Sequence, residues 1–293
     1  MKLDSFLEQH RLPDVFVESA ERCYFPTAEW LKQRLDDSST PLVLGINGAQ
    51  GTGKSTLAHL LAELLEQDHG KRVAILSIDD IYLTKAERQA LADDVHPMLA
   101  TRGVPGTHDV HLGIDTIESL KKLGDGESIR IPRFDKSVDD RFPEEEWTSI
   151  EGPVDLIIFE GWCIAATPCA DYELNEPMNT LESDKDGYGL WRHYVNEQLK
   201  GDYKTLFAML DKLVLLKAPD FDCVFRWRSE QEQKLRDKAG EDASGVMSDD
   251  EVAEFIQYYE RITRRNLAEL PDTADVVIEL LPDHSAVATD IRT

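Results

Sequence analysis

The sequence predicts an α/β fold in which a parallel sheet of about five strands is covered by helices on both faces. Short and almost continuously apolar runs, typical of strands that are buried on both sides, alternate with segments of helical periodicity. The predicted strands are residues 41–47, 72–78, 154–161, 213–218 and 275–280. We expect one α/β domain over residues 41–293, preceded by a helical N-terminal extension over residues 1–40.

Composition restricts the class of protein. The chain of 293 residues carries 57 Asp and Glu against 32 Lys and Arg, which gives a net charge of −25. So acidic a surface predicts no binding to nucleic acid or to anionic membranes, because both need cationic neutralisation. No signal peptide or long apolar span is recognised, and the widely spaced cysteines suggest a reduced compartment. A cytoplasmic protein is expected, and the composition leaves its oligomeric state undetermined.

The N-terminal segments FVESAERCYF and TAEWLKQRL show helical periodicity, with Trp30, Leu31 and Leu35 on one face of the second. The first strand follows at residues 41–47. Residues 54–70 then carry leucines at helical spacing and end at Gly70, which is typical of a helix C-terminus.

A complete G-x-x-x-x-G-K-[ST] motif lies between the first strand and this helix, and it predicts a phosphate-binding P-loop. The motif and the residue after it are Gly48, Ala49, Gln50, Gly51, Thr52, Gly53, Lys54, Ser55 and Thr56. The glycines allow backbone N–H groups to point at one phosphate, and the helix adds its positive end. Lys54 is expected to contact the β- and γ-phosphates and Ser55 to bind Mg²⁺, so ATP and Mg²⁺ are the expected cofactors.

Carboxylates follow the second and third strands, at the sheet edge where open α/β sheets bind ligands. In SIDDIYLT, Asp79 comes first after the strand and is the expected general base or Mg²⁺ ligand, with Asp80 as the alternative. In IIFEGW, the position of Glu160 after four apolar residues resembles a Walker B position, and Glu160 is expected to bind Mg²⁺ directly or through water. A helix-capping role for the aspartates and a turn for Glu160 remain open.

Basic residues are concentrated in two segments, RGVPGTHD and IPRFDKSVDDR, which is notable in so acidic a chain. These segments contribute Arg102, His108, Arg133, Lys136 and Arg141. Arginine binds carboxylates and phosphates in a bidentate manner, so a small anionic acceptor is expected nearby. Surface ion pairs are the alternative interpretation for each of them.

After the fourth strand, FRWRSEQEQKLR predicts an arginine-bearing helix, and a lid is expected near residues 222–250. Arg226 and Arg228 would close over the transferring phosphoryl group and exclude water, although a plain charged helix remains possible. Two polar stretches, 168–190 and 236–250, predict loops.

Several motifs occur together in one order along the chain: GINGAQGTGKST, SIDDIYLT, RGVPGTHD, PRFDKS, FEGW, YVNEQL, WRSEQE and VMSDDEV. From about Pro41 to Leu281 this pattern resembles the plant- and fungal-type D-glycerate 3-kinases and their bacterial relatives. That group is similar to a branch of the phosphoribulokinase, uridine kinase and pantothenate kinase superfamily. The resemblance implies a P-loop NTPase fold of the nucleoside-monophosphate-kinase-like type.

The resemblance also implies roles for individual residues. Asp79 matches the acid that activates the acceptor hydroxyl, Glu160 matches the acid after the third strand, and Arg226 and Arg228 match the lid. The residues expected near the acceptor are Asp79, Tyr82, Arg102, His108, Asp109, Arg133, Lys136, Arg192 and Asn196. The expected metal ligands are Ser55, Asp79 and Glu160.

The expected reaction is ATP-dependent phosphoryl transfer to a hydroxyl of a small anionic metabolite, with D-glycerate to 3-phosphoglycerate as the leading candidate. Val138–Arg141 departs from the plant and fungal pattern, which has a longer glycine-rich stretch there. Another sugar acid, a nucleoside or a pantothenate-like alcohol therefore stays open as the acceptor. A P-loop ATPase or switch without a small-molecule acceptor is the rival class of function.

Overall fold

The structure is a computed structural model, and it describes residues 3–239 and 247–292. Its strands are β1 (Leu42–Gly48), β2 (Val73–Ser77), β3 (Ser128–Ile131), β4 (Phe134–Asp135), β5 (Asp140–Arg141), β6 (Thr148–Glu151), β7 (Leu156–Gly161), β8 (Lys212–Lys217), β9 (Val276–Leu280) and β10 (Ala286–Ile291).

Its α-helices are α1 (Leu3–His10), α2 (Val15–Ser19), α3 (Phe25–Asp37), α4 (Lys54–His69), α5 (Lys85–Asp94), α6 (Val110–Lys122), α7 (Thr180–Lys185), α8 (Leu190–Lys200), α9 (Asp202–Phe207), α10 (Phe221–Ala239) and α11 (Asp249–Thr273). A π-helical turn at Ala20–Tyr24 joins α2 to α3. Single 3₁₀ turns lie at Ile78–Ile81, Pro97–Ala100, Glu144–Glu146 and Asp171–Leu174.

Within the described residues, the central sheet has six strands in the order β10-β9-β8-β1-β7-β2. The five strands from β9 to β2 are parallel, as the sequence predicts, and β10 pairs antiparallel with β9 at the edge. Successive residues are buried along all of β7 and most of β1. Because successive side chains point to opposite faces, both faces of the sheet are covered. The predicted α/β fold is confirmed, and β10 is an addition to it.

The strand order determines where a ligand can bind. β1 lies between β7 and β8, although these strands are more than a hundred residues away in the chain. β2 pairs with the other side of β7, so the carboxyl ends of β1, β7 and β2 meet at one edge. The predicted P-loop, Glu160 and Asp79 follow or end these strands, and the topology therefore brings them together.

The N-terminal helices pack directly against this sheet. Phe6, Cys23 and Leu31 are buried in the same apolar core as the strands. The backbone N–H of Ala286 in β10 donates to the Ser19 hydroxyl at 2.9 Å. Helices α1 to α3 and the π-helical turn thus cover the β10 side of the core.

The stretch 168–190, predicted as a loop, contains the 3₁₀ turn at Asp171–Leu174 and helix α7. Its order comes from a distant partner, since buried Glu182 accepts hydrogen bonds from Arg261 in α11. The other predicted loop, 236–250, includes the end of α10 and the start of α11. Its residues 240–246 lie outside the described residues. No helix in the described part of the chain has an apolar stretch long enough to cross a bilayer.

Candidate active site

The P-loop connects the end of β1 to the first residue of α4, Lys54. Gly51 and Gly53 both have φ of +82°, a left-handed conformation that favours glycine. At Gly51 a side chain is also excluded by space, because a Cβ there would lie 2.6 Å from the Cβ of Trp227. The Thr52 hydroxyl donates to the Ala49 carbonyl at 2.8 Å and closes the turn. The loop therefore directs its backbone toward the cavity at the N-terminus of α4.

A cavity of about 570 Å³ opens at this edge of the sheet. It is lined by Gln50, Gly51, Lys54, Ser55, Ser77, Asp79, Tyr82, Arg102, Lys136, Glu160, Trp162, Arg228, Gln231, Phe255 and Tyr259. The lining combines P-loop residues with carboxylates and with cations from three distant segments. Its size suits a nucleotide phosphate group together with a small polar molecule.

Glu160 lies at the end of β7, beside the start of α4. The Ser55 hydroxyl donates to Glu160 Oε1 at 2.9 Å. Glu160 is only 4% exposed, and its Oε2 atom has no hydrogen-bond partner among the described residues. A buried carboxylate oxygen without a donor needs a cation or water beside it. The pair of Ser55 and Glu160 therefore fits Mg²⁺, which usually takes only one or two protein oxygens.

Asp79 projects into the same cavity from the turn after β2. The Tyr82 hydroxyl donates to Asp79 Oδ1 at 2.8 Å, and Lys136 Nζ donates to Oδ2 at 2.6 Å. Burial opposes ionisation of this carboxyl group, but Lys136, Lys54 and these hydrogen bonds outweigh it and lower the pKa of Asp79 to about 2. Asp79 is therefore an anion at neutral pH, and each of its oxygens accepts a hydrogen bond from a neighbouring side chain.

Asp80 points away from the cavity. Its Oδ1 accepts from the backbone N–H of Phe134 at 3.1 Å and faces Arg133 Nε at 3.5 Å. Burial raises the pKa of Asp80, with Arg133 and the hydrogen bond acting against that shift. Asp80 thus fastens the β4 strand to the end of β2, and geometry favours Asp79 over Asp80 as the proton acceptor.

Arg102 is held in the cavity wall by Asp139, which accepts from its guanidinium group. Asp139 also pairs with the fully buried Arg88 at 2.9 Å. Both guanidinium groups lie over the Phe134 ring, at 5.6 and 5.7 Å from its centroid. Asp139 has φ of +59°, where aspartate is one of the few side-chain-bearing residues tolerated. The short segment after Lys136 thus serves to fix Arg102.

Two helices at the C-terminal end of the chain form the opposite wall. Arg228 of α10 contacts Glu232 of the same helix and lies 5.6 Å from the centroid of the Phe255 ring in α11. Tyr259 of α11 packs edge-on against Trp162 at 4.8 Å. One arginine of the predicted lid therefore reaches the cavity.

Comparison with known proteins agrees with this geometry. The family model described as "Methylmalonyl Co-A mutase-associated GTPase MeaB" matches residues 15–84, the part that contains the P-loop. The Schizosaccharomyces pombe protein named "Uncharacterized kinase mug58" is 35% identical over 239 residues, which are 79% of this chain and 83% of the yeast protein. The chain belongs to this family of P-loop kinases.

Other relatives of this kinase carry more specific names. The chloroplastic D-glycerate 3-kinase of Arabidopsis thaliana is 32% identical over 253 residues, which are 80% of this chain and 52% of the plant protein. This kinase therefore spans about half the length of the plant enzyme. The solved D-glycerate 3-kinase of Cryptococcus neoformans superposes with a TM-score of 0.74 at 27% identity, covering 91% of this chain and 98% of that one.

Several residues expected near the acceptor lie behind the residues that line the cavity of the kinase. His108 is buried, its Nδ1 is 2.5 Å from the Tyr203 hydroxyl, and its ring stacks on Tyr82 at 4.6 Å. Burial lowers the pKa of His108 to about 3, so the ring is neutral. Asp109 caps α6 by accepting from the N–H of Leu112 at 3.0 Å. The cavity surface itself is not formed by His108 or Asp109.

Asp109 also pairs with Arg141 at 3.2 Å, so this predicted cation of the basic cluster is engaged in the wall. Arg133 faces Asp80, as described above. Arg226 donates to Cys223 Sγ at 2.8 Å and does not line the cavity. Arg141 and Arg133 are thus engaged in ion pairs in this structure, and Arg226, expected in the lid, contacts a residue of its own helix.

The structure does not bring Arg192 and Asn196 to the cavity, in contrast to the prediction. Both side chains are 4% exposed. Arg192 pairs with Asp186 at 3.0 Å, and the Asn196 side-chain oxygen accepts from the N–H of Cys169 at 2.8 Å. They tie α8 to the segment before it, because helical periodicity turns them inward toward that segment rather than toward the sheet edge.

Other lining residues were not predicted from the sequence. They are Ser77, Trp162, Gln231, Phe255 and Tyr259. One local signal did exist: Gly103 has φ of +139°, and a Cβ there would lie 2.3 Å from the Tyr259 hydroxyl. The glycine of the R-G-x-P-G motif therefore marks the place where α11 approaches, but the motif alone could not name the partner.

Proposed function

We propose that this kinase transfers the γ-phosphoryl group of ATP to a hydroxyl of a small carboxylate-bearing alcohol, and that D-glycerate is the acceptor, yielding 3-phosphoglycerate. One observation carries the proposal: the P-loop lysine and an ionised aspartate face one cavity together with the cations Arg102 and Lys136. The plant and fungal relatives, both named D-glycerate 3-kinases, support the choice of D-glycerate.

The nucleotide phosphates would lie against the P-loop backbone and Lys54. Mg²⁺ would be held by Ser55 and Glu160, since Glu160 Oε2 lacks a donor in the described part of the chain, with Asp79 as the further predicted ligand. Among the described residues no cluster of three His, Cys, Asp or Glu side chains forms a cage. A site of this kind suits a metal whose remaining ligands are phosphate and water. When bound, Mg²⁺ neutralises charge on the transferring phosphoryl group.

In the proposed reaction, the acceptor oxygen forms a bond to Pγ while the bond from Pγ to the bridging oxygen of ADP breaks. The proton of the acceptor hydroxyl moves to Asp79, which is ionised and within the cavity. Arg102 and Lys136 would bind the acceptor carboxylate. Arg228, from the proposed lid over residues 222–250, would stabilise charge on the transferring group and exclude water.

The decisive experiment measures ADP release with ATP and Mg²⁺ for D-glycerate, L-glycerate, uridine, pantothenate and ribulose 5-phosphate. We expect turnover with D-glycerate and none with Lys54→Ala. Asp79→Asn should lower kcat by about 10²- to 10⁴-fold, the range for general-base catalysis. Asp80→Asn is the matched control, and it should stay within about tenfold of wild type, because an amide oxygen can still accept from Phe134.

Turnover with another member of the panel would replace D-glycerate as the acceptor and leave the kinase chemistry intact. Slow ADP release at one rate with every acceptor would overturn the proposal in favour of an ATPase. If Asp79→Asn were as active as wild type while Asp80→Asn were inactive, the base would be reassigned to Asp80.

A further inference from the structure

The salt bridge between Lys136 and Asp79 lies at the carboxylate that would receive the proton of the acceptor. Lys136 Nζ is 2.6 Å from Asp79 Oδ2, and the Tyr82 hydroxyl donates to Oδ1. An incoming hydroxyl therefore competes with Lys136 at one oxygen and with Tyr82 at the other. Movement of Lys136 or of Tyr82 would remove that competition and free Asp79 to act as a base.

The two candidates differ in their freedom to move. Tyr82 is 4% exposed and is packed between His108 and Phe134. The Lys136 side chain is 57% exposed. Its hydrogen bond to Asp79 is the one found for it among the described residues. An ion pair in contact with water is weak and exchanges readily with a competing anion. Lys136 is therefore the group that can leave.

The second cation of the cavity, Arg102, does not share this freedom. Asp139 holds its guanidinium group, and the Phe134 ring lies against it. A carboxylate bound to Arg102 would have Lys136 as a mobile cation in the same cavity. The acceptor carboxylate and Asp79 would then compete for one ammonium group.

We propose, building on the proposed function, that Lys136 blocks Asp79 until a carboxylate-bearing acceptor draws it away. In this arrangement the base is released by the same chemical group that identifies the substrate. Without an acceptor, Lys136 keeps Asp79 from activating water, so ATP is spared from hydrolysis. A neutral polyol has no group that draws Lys136 away. The enzyme would therefore bind it more weakly and also turn it over with a lower kcat.

Lys136→Met tests the inference, because methionine keeps the length of the side chain and removes its charge. We expect ATP hydrolysis without acceptor to rise by about 10²-fold, the low end of what general-base catalysis contributes. The KM for D-glycerate should rise, and the ratio of kcat for D-glycerate to kcat for glycerol should fall. Lys122→Met is the control, since Lys122 forms an exposed ion pair with Glu118 at 2.9 Å outside the cavity.

Two further variants separate this mechanism from simple acceptor binding. Lys136→Arg should restore slow hydrolysis, and Lys136→Met combined with Asp79→Asn should abolish the gain. A Lys136→Met enzyme with a raised KM but unchanged hydrolysis without acceptor would overturn the inference and leave Lys136 as a binding group. The hydrolysis assay needs no acceptor, so failure of D-glycerate as a substrate would refute the proposed function without affecting this test.

Discussion

At the scale of single residues, the two adjacent aspartates after β2 show how surroundings divide roles between identical side chains. Asp79 faces Lys136, Lys54 and Tyr82, and its pKa is lowered to about 2. Asp80 faces Arg133 and a backbone N–H, and burial raises its pKa. The sequence predicted a carboxylate base at this point with Asp79 preferred. Two of the contacts that distinguish the pair, Lys136 with Asp79 and Phe134 with Asp80, join residues more than fifty positions apart.

His108 should make the kinase sensitive to mild acid. Its pKa is about 3 in the fold because burial disfavours the charged ring, against an unfolded value of about 6.5. Between these values the unfolded chain binds one proton more, so the free energy of unfolding falls as pH falls. From pH 6.5 to pH 5 the free energy of unfolding falls by about 2 kcal/mol, at 1.36 kcal/mol for each pH unit.

Urea unfolding of wild type and His108→Asn at pH 7 and pH 5 would measure this effect. The asparagine amide can donate to or accept from the Tyr203 hydroxyl, but it does not titrate. His59, whose pKa burial also lowers, contributes equally to both proteins. The stability held by ionised Asp79 is lost only below about pH 3.8, outside this window. An equal loss in both proteins would show that His108 is not the group that titrates.

At the scale of elements, the contact between the 102–109 segment and α11 depends on Gly103. This residue has φ of +139°, and its carbonyl accepts from Trp162 Nε1 at 3.0 Å. In Gly103→Ala the new Cβ would lie 2.3 Å from the Tyr259 hydroxyl, so α11 or the segment must shift. We expect a loss of about 1–3 kcal/mol from overpacking, in addition to backbone strain, and a lower kcat.

Gly126→Ala provides the matched comparison. Gly126 also has a positive φ, of +75°, but a Cβ there would meet nothing within 4 Å among the residues that the structure describes. The Gly126→Ala substitution should therefore lower stability only through backbone strain and leave kcat unchanged. Urea midpoints and ADP assays on both variants would separate the two effects, and equal destabilisation would argue against the close approach of α11.

The elements also show what a sequence can predict. The five parallel strands were predicted because strands buried on both faces are continuously apolar. β10 was missed because alternate residues, such as Ala288 and Asp290, are exposed at the sheet edge. The P-loop, Asp79 and Glu160 stand in short local motifs. Phe255 and Tyr259 reach the cavity only through tertiary packing of α11, which no local pattern encodes.

At the scale of the whole molecule, we propose that residues 1–40 are part of the folding unit rather than a separable extension. The core includes Phe6, Cys23 and Leu31, each at most 1% exposed, and Ser19 accepts from the N–H of Ala286 at 2.9 Å. A chain that starts at Ser38 would expose this face of the core to water. The free energy of folding would lose roughly 1.5–3 kcal/mol for each large apolar side chain that becomes exposed.

The shortened chain is therefore expected to lose cooperative unfolding and to aggregate. Thermal unfolding followed by circular dichroism, together with the ADP assay, would check this expectation. Full activity and an unchanged Tm in the shortened chain would instead make these helices dispensable.

The strand order has a consequence for the nascent chain during its synthesis on the ribosome. β1 and β2 emerge early, but they are not neighbours, and β7 must enter between them. β7 is made only after about eighty further residues, and β8 completes the pairing of β1 later still. During synthesis the apolar β1 strand is therefore exposed without its partners, a condition that favours aggregation and binding by chaperones. Slow translation between β2 and β7 would prolong that exposure.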